Sequence, residues 1–227
     1  ITPIKKFVFK NNIDKDFNIV ISCGRKSVIP SIYLKQKYKN KIMNIHIQDP
    51  KVSLNNFDYI VAPEHDQLKG KNVLTTKGAL HYLRDNELNE NEVYLKPQVT
   101  KEKIVSFIMG GPNKYYDFST NQLNEIFNRV KTVFTQDKYK IVVIPSYRTP
   151  EEKIKMAFNA FSHNHKVIKS IDKKAYLSAL ALSDYIVVTC DSTSMISEAA
   201  ITGKPIYVAH MKAKKHNLRF QHFFEEF

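Results

Sequence analysis

The 227-residue chain predicts an α/β protein built from two doubly wound, Rossmann-like lobes. Three observations carry that reading. Apolar runs of roughly four to six residues recur along the chain, the length and density of strands in a covered parallel sheet. The segments between them carry apolar residues at helical spacing, as βαβ units require. An acidic, Asn-rich stretch without hydrophobic period at 84–92 divides the chain and reads as a linker, or a loop leading to one. The lobes are then expected at 1–95 and 96–227.

In the first lobe, strands are predicted at 17–21, 41–47, 58–61 and 72–74, with a helix over 27–38. In the second, strands are predicted at 103–109, 140–144, 166–168, 184–188 and 205–208. Between them, Leu123, Ile126, Phe127, Val130 and Phe134 mark one helix, with Ser119 and Gln122 placed as a capping box. Ile154, Ala157, Phe158 and Phe161 mark the next, where Thr149, Pro150 and Glu152 supply N-cap, N1 proline and capping glutamate. Helices at 173–182 and 194–202 follow, the latter closed by Gly203. An aromatic-rich helix is expected over 217–227.

Composition narrows the function classes. Hydrophobic residues make up 43% of the chain, enough for a sizeable core. No apolar run approaches the ~20 residues a membrane-spanning helix needs. Cys23 and Cys190 lie far apart and read as reduced thiols, and no Cys/His group has zinc-site spacing. A cytoplasmic protein is expected. The formal charge of +13 suits either a lysine-rich solvated surface or an anionic partner, such as nucleotide phosphates or an anionic membrane surface at whose inner face the protein would sit peripherally. The basic residues are dispersed, and no nucleic-acid-binding motif is present, so no specific nucleic-acid partner is expected.

In doubly wound sheets, ligands bind outside the carboxyl ends of the strands. Each predicted strand here exits into unusual polar residues. In the first lobe these include Ser22, Gly24, Arg25 and Lys26, then Gln48 and Asp49, then Glu64, His65 and Asp66, then Lys77 and Gly78. In the second they are Gly110, Gly111 and Asn113, then Arg148, then Ser192, Thr193 and Ser194. Together they describe two polar rims suited to a ligand cleft. Gly110–Gly111 would let a backbone approach a phosphate, although an isolated Gly-Gly after a strand is better explained as a tight turn. It is neither a P-loop nor a Gly-x-Gly-x-x-Gly dinucleotide turn, so a nicotinamide dehydrogenase is not expected.

Three hydroxyls at a helix start exceed what capping needs, since one residue suffices. Glu198 sits one turn inside that helix. Met195, three residues earlier, cannot complete a capping box with it, so the carboxylate is either an acceptor for ribose hydroxyls or a partly exposed helix glutamate favoured by the dipole. Within Glu64, His65 and Asp66, one side chain is expected to face the cleft as a general base. Arg25, Lys26, Lys77 and Arg148 are placed to contact phosphate or an acidic substrate.

The motifs Gly-Gly-Pro-Asn at 110–113, Pro-Ser-Tyr-Arg-Thr-Pro at 145–150 and the run from Thr189 to Pro205 resemble those of the mitochondrial-fission "elongated mitochondria" family. So do Ser-Cys-Gly-Arg-Lys at 22–26, Ile-Gln-Asp-Pro at 47–50, Val-Ala-Pro-Glu-His-Asp at 61–66 and Leu-Thr-Thr-Lys-Gly at 74–78. The resemblance spans nearly the whole chain and implies a two-lobe (GT-B) glycosyltransferase-like fold. It implies that Gly110, Gly111, Ser192, Thr193, Ser194 and Glu198 hold a nucleotide-diphosphate sugar and that the first lobe presents the acceptor, for example a lipid. It also implies that the family's opening strand and Gly-containing turn precede Ile1, so that the first lobe is incomplete here. Without Asp-x-Asp at a strand's carboxyl end, transfer is expected to need no metal, and no cofactor is expected. The competing expectation is a non-catalytic member that recruits a protein partner.

Overall fold

The computed structural model describes residues 16–96, 99, 103–135 and 138–226. They form two compact units. The described residues through Leu80 make the first, joined by those from Arg219 onward, and His81–Leu218 make the second. The units thus divide at 80/81, against the 95/96 boundary expected from sequence, and the chain's last helix returns to the first unit.

In the first unit, β1 (Ile19–Cys23), β2 (Met43–Ile47), β3 (Tyr59–Pro63) and β4 (Val73–Thr76) form a parallel sheet in that order. Helix α1 (Arg25–Tyr38) connects β1 to β2 and buries Val28 and Leu34. A cluster of Val28, Phe57, Ile60 and Ala62 is the core on that face. The other face carries Ile19, Ile21, Met43, Tyr59 and Leu74 exposed to solvent, so the strands alternate rather than reading as continuous apolar runs.

The second unit is the more fully covered. Its sheet runs β7-β6-β5-β8-β9, all parallel, with β5 (Lys103–Met109), β6 (Tyr139–Pro145), β7 (Lys166–Val167), β8 (Tyr185–Thr189) and β9 (Ile206–Ala209). Central β5 is buried from Ile104 through Met109. Phe107 packs edge-to-face with Phe127 and Phe161 at centroid distances of 6.0 and 6.1 Å, and these two meet at 5.2 Å. Such pairs add about 0.5–1.5 kcal/mol each beyond their buried area. They lock helices α3 (Thr120–Val133) and α4 (Glu151–Phe161) onto one face of the sheet.

The expected linker at 84–92 is instead helical. Helix α2 (Asp85–Asn91) and a 3-10 turn (Glu92–Tyr94) pack against α5 (Lys173–Leu182). The Ser178 hydroxyl accepts from the Leu95 amide at 3.0 Å and donates to the Glu92 carbonyl at 2.9 Å. Leu88 and Leu95 are buried. With only these two apolar anchors, the segment has no sequence period to detect, and tertiary contacts decide its state.

Two caps also differ from expectation. Thr149 does not cap α4, whose N-cap is Pro150, because the Thr149 hydroxyl turns back toward the β5 exit. The Ser119–Gln122 box forms in one direction: Ser119 Oγ accepts from the Gln122 amide, while Gln122 Nε2 donates to the Lys212 carbonyl. Helix α6 (Thr193–Ala200) starts after N-cap Ser192, and Gly203 follows it at φ 64°, the left-handed turn expected of a helix stop. Helix α7 (Leu218–Glu226) closes the described chain; Phe227 of the expected helix lies outside the described residues. Among the described residues no helix is long and apolar enough to cross a membrane.

Candidate functional site at the switch point of the second sheet

From β5 the chain steps outward to β6 and β7, then returns to the other side of β5 as β8. The connections leaving β5 and β8 therefore diverge, and a crevice opens at the carboxyl ends of these two strands. Three polar segments meet there: Gly110–Gly111 after β5, the 146–149 loop after β6, and the turn from Thr189 into α6 after β8.

The centre of this meeting is Asp191, which sequence reasoning passed over. Its side chain is 0% exposed. Its carboxylate accepts from the Gly111 amide at 3.1 Å, the Thr189 hydroxyl at 2.6 Å and Arg148 Nη2 at 2.7 Å. Thr189 Oγ1 in turn accepts from the Gly110 amide at 2.8 Å. Arg148 Nη1 donates to the Gly111 carbonyl at 3.2 Å, and Thr149 Oγ1 lies 2.6 Å from the Gly110 carbonyl. Asn113 Nδ2 donates to the Asp191 carbonyl at 3.0 Å while its Oδ1 accepts from the amides of Tyr115 and Tyr116. A buried carboxylate is tolerable only when paired and hydrogen-bonded, and this one is both.

That network explains the two glycines. A Cβ on Gly110 would lie 2.5 Å from Asp191 Cγ, with the carboxylate oxygens nearer still. A Cβ on Gly111 would lie 2.8 Å from Arg148 Cβ and closer yet to the Arg148 carbonyl. The close approach that glycine permits here is to the protein's own carboxylate and backbone.

Beside this cluster lies a cavity of about 340 Å³, lined by Ile108, Pro145, Ser146, Tyr147, Ile171, Tyr176, Met195 and Glu198, with Tyr82, Asp172 and Lys173 also on its wall. Glu198 is half-buried, and one carboxylate oxygen accepts from the Tyr176 hydroxyl at 2.6 Å. Burial, with the Glu198 charge added, holds the Tyr176 phenol far above its ordinary range, so it stays a donor. Tyr147 stands 89% exposed beside the opening. At the start of α6, Ser192 Oγ accepts from the Met195 amide at 3.4 Å. By helix geometry the amides of Thr193 and Ser194 have no intrahelical acceptor. Thr193 is buried and Ser194 exposed.

Of the residues expected to hold the nucleotide, Glu198 lines the cavity, Gly111, Asn113 and Arg148 bond to Asp191 and Gly110 to Thr189, and Ser192, Thr193 and Ser194 follow Asp191 at the start of α6. Arg148 is committed to Asp191, though among the described residues only two of its five N–H donors are used, on Asp191 and the Gly111 carbonyl, and its side chain is 38% exposed. Tyr176 carries no local sequence signal. Asp191 does carry one, being the only carboxylate among the hydroxyls that follow β8.

The first-unit residues sit at the exits of their own sheet. Each of the four strands leaves through a left-handed residue: Gly24 (φ 74°), Gln48 (φ 81°), Gln67 (φ 51°) and Gly78 (φ 66°). Arg25, Lys26, Glu64 and Lys77 are exposed. Ser22 is not at the rim: its hydroxyl is buried 2.8 Å from His46 Nδ1. Asp49 is held by Lys51, through the amide at 2.8 Å and Nζ at 2.5 Å. His65 is buried beneath α7, ring to ring with Phe223 at 5.0 Å, and Arg219 pairs with Asp66. Burial and the Arg219 charge push the His65 pKa down to about 4. Glu64, His65 and Asp66 therefore point to different surroundings. Among the described residues, no group of three His, Cys, Asp or Glu side chains is arranged to hold a metal ion.

The family model for mitochondrial fission ELM1 matches residues 4–227. The chain belongs to the mitochondrial fission ELM1 family. Uncharacterized protein RP120 of Rickettsia prowazekii is 25% identical over 264 aligned positions, covering 98% of this chain and 74% of that protein. The mitochondrial fission protein ELM1 of Arabidopsis thaliana is 26% identical, covering 84% of this chain and 51% of the relative. This ELM1-family chain thus spans about half the length of the plant protein. In fold it is similar to the UDP-GlcNAc 2-epimerase of Neisseria meningitidis bound to UDP-GlcNAc (TM-score 0.53, 15% identity, 84% of this chain and 58% of that one). It is likewise similar to the UDP-GlcNAc 2-epimerase of Methanocaldococcus jannaschii (TM-score 0.53, 13% identity, 92% and 69%). The ELM1-family chain has the expected α/β, GT-B-like fold.

Proposed function

We propose that the second unit binds a nucleoside diphosphate sugar at the β5/β8 switch point and that the protein is a glycosyltransferase-like enzyme. The observation that carries this reading is the half-buried Glu198 carboxylate, oriented by Tyr176, in a cavity that α6 lines with Met195 and Glu198. A carboxylate with one oxygen unspent is the acceptor that the two hydroxyls of a ribose need. Exposed amides and hydroxyls at a helix N-terminus are the complement of a diphosphate. The apolar and aromatic wall made by Ile171, Tyr147 and Pro145 suits the flat face of a base. One protein of similar fold holds UDP-GlcNAc, which agrees with this ligand class.

In transfer, the α6 amides, with Ser192 and Ser194, would stabilise the charge gathering on the departing diphosphate, a fixed-dipole effect that needs no reorganisation. In the first unit, Glu64 is the exposed member of the Glu64, His65 and Asp66 triplet and the one accessible as a general base toward an acceptor hydroxyl. The net basic charge would hold the protein against an anionic membrane carrying that acceptor.

Calorimetric titration at low salt with UDP, GDP and ADP tests the binding claim. One of the three should bind saturably to the wild type, and Glu198→Gln should weaken it at least tenfold. Absence of binding by all three would remove the basis of the proposal. Unchanged affinity in Glu198→Gln would displace the site. Equal flotation with neutral and anionic vesicles would contradict the membrane component.

A further inference from the structure

We propose that Asp191 is a built-in anion that occupies the Gly110–Gly111 turn and keeps phosphate out of it. The turn has the makings of a phosphate cradle: a Gly-Gly backbone after a strand, a neighbouring hydroxyl, and an arginine. Three of these donors converge instead on one carboxylate. The Gly111 amide reaches it at 3.1 Å, the Thr189 hydroxyl at 2.6 Å and Arg148 at 2.7 Å, while the Gly110 amide is taken by Thr189 itself. The space a ligand oxygen would need above Gly110 is filled by the Asp191 carboxylate, which is why no Cβ fits there.

The charge arithmetic agrees. One carboxylate neutralises one guanidinium in a pocket where the carboxylate has no exposure at all. A phosphate brought to the same turn would place a second anion against a buried one, and like charges at such distances are strongly disfavoured in a low-dielectric setting. The turn after β5 is thus closed to anions. Asp191 is a positioning residue. It ties the exits of β5, β6 and β8 together one residue before the N-cap of α6, and so fixes where that helix starts. This holds whether or not the cavity beside it takes a nucleotide.

The test uses inorganic phosphate on the whole chain, so that it does not depend on nucleotide recognition. The chain has six glycines, which makes their amide resonances few enough to follow. In the wild type, phosphate should leave the Gly110 and Gly111 amides unshifted. In Asp191→Asn and Asp191→Ala, phosphate should shift both amides saturably, with affinity at least tenfold above that of any wild-type response. Adding Arg148→Gln should abolish that gain. A saturable Gly111 shift in the wild type would overturn the proposal. So would a folded Asp191→Asn or Asp191→Ala protein that gains no phosphate binding. Should neither variant fold, the wild-type titration decides alone: a silent turn supports the proposal and a responsive one rejects it.

Discussion

Gly111→Ala separates close packing from backbone conformation as the reason for a glycine. A Cβ at 111 would meet the Arg148 backbone carbonyl and sit 2.8 Å from Arg148 Cβ, inside the 3.0 Å that real Cβ contacts respect. Backbone cannot swing aside as a long side chain does. Relief requires the 146–149 loop to move, and that loop holds Arg148 on Asp191 and Thr149 on the Gly110 carbonyl. Overpacking costs about 1–3 kcal/mol, and loosening a buried ion pair adds to it, so a total of about 3 kcal/mol or more is expected. For a chain of this size that is a fall in Tm of roughly 6–12 °C, at about 2–4 °C per kcal/mol. Gly203→Ala is the control. Nothing lies within 4 Å of a Cβ there, and the cost is that of φ 64° alone. That is about 1–2 kcal/mol, or a few degrees. Thermal unfolding followed by circular dichroism reads both. If Gly111→Ala melts within 2 °C of wild type, or Gly203→Ala proves the worse of the two, the account of the switch point is wrong.

Three further outcomes follow from the same geometry. Arg148→Ala leaves the Asp191 carboxylate buried and unpaired and should cost about 3 kcal/mol in urea unfolding, while Arg148→Lys recovers only part because it cannot bridge Asp191 and the Gly111 carbonyl together. Asp172→Ala removes the cap that accepts from the Ala175 amide at 3.0 Å, together with the Tyr94 tether at 2.7 Å, for a loss of about 1 kcal/mol in the same assay. His65 is held neutral, its pKa moved from 6.5 to about 4, which corresponds to about 3 kcal/mol. The unfolded chain takes up this proton first as pH falls. Stability from the neutral ring is therefore complete above pH 6.5 and lost toward pH 4. The stability of wild type relative to His65→Leu should decline across that window, and a pH-independent difference would refute the assignment. The charged neighbours Asp66, Arg219, His222 and Glu226 are common to both proteins.

Most of the framework was legible because the second unit is locally consistent. Strand β5 is apolar except for Lys103 and Ser106, the stripe from Leu123 to Phe134 has the period of its helix, and the helix at 173–182 begins on an Asp cap. What escaped were features decided by distant partners. The 84–92 segment folds because Ser178, more than eighty residues later, supplies its hydrogen bonds. Thr149 reads as a cap in sequence, but a carbonyl at the end of β5 captures its hydroxyl. The return of α7 onto the first unit, which buries His65, has no local trace.

At the candidate site, sequence singled out Glu198 and the glycines but not Asp191. Glu198 stood out because no cap explained it. Gly110 and Gly111 stood out for the right reason, a close approach, but the approaching group is Asp191. Spacing alone could not distinguish a glycine that admits a ligand from one that admits the protein's own carboxylate.

A structure of the protein with a bound nucleoside diphosphate sugar tests the central claim most directly. The account predicts ribose hydroxyls within hydrogen-bonding distance of Glu198, the diphosphate against the amides of Thr193 and Ser194, and the Asp191–Arg148 pair intact. A diphosphate seated in the Gly110–Gly111 turn with Asp191 displaced, or a nucleotide bound away from the β5/β8 switch point, would contradict it.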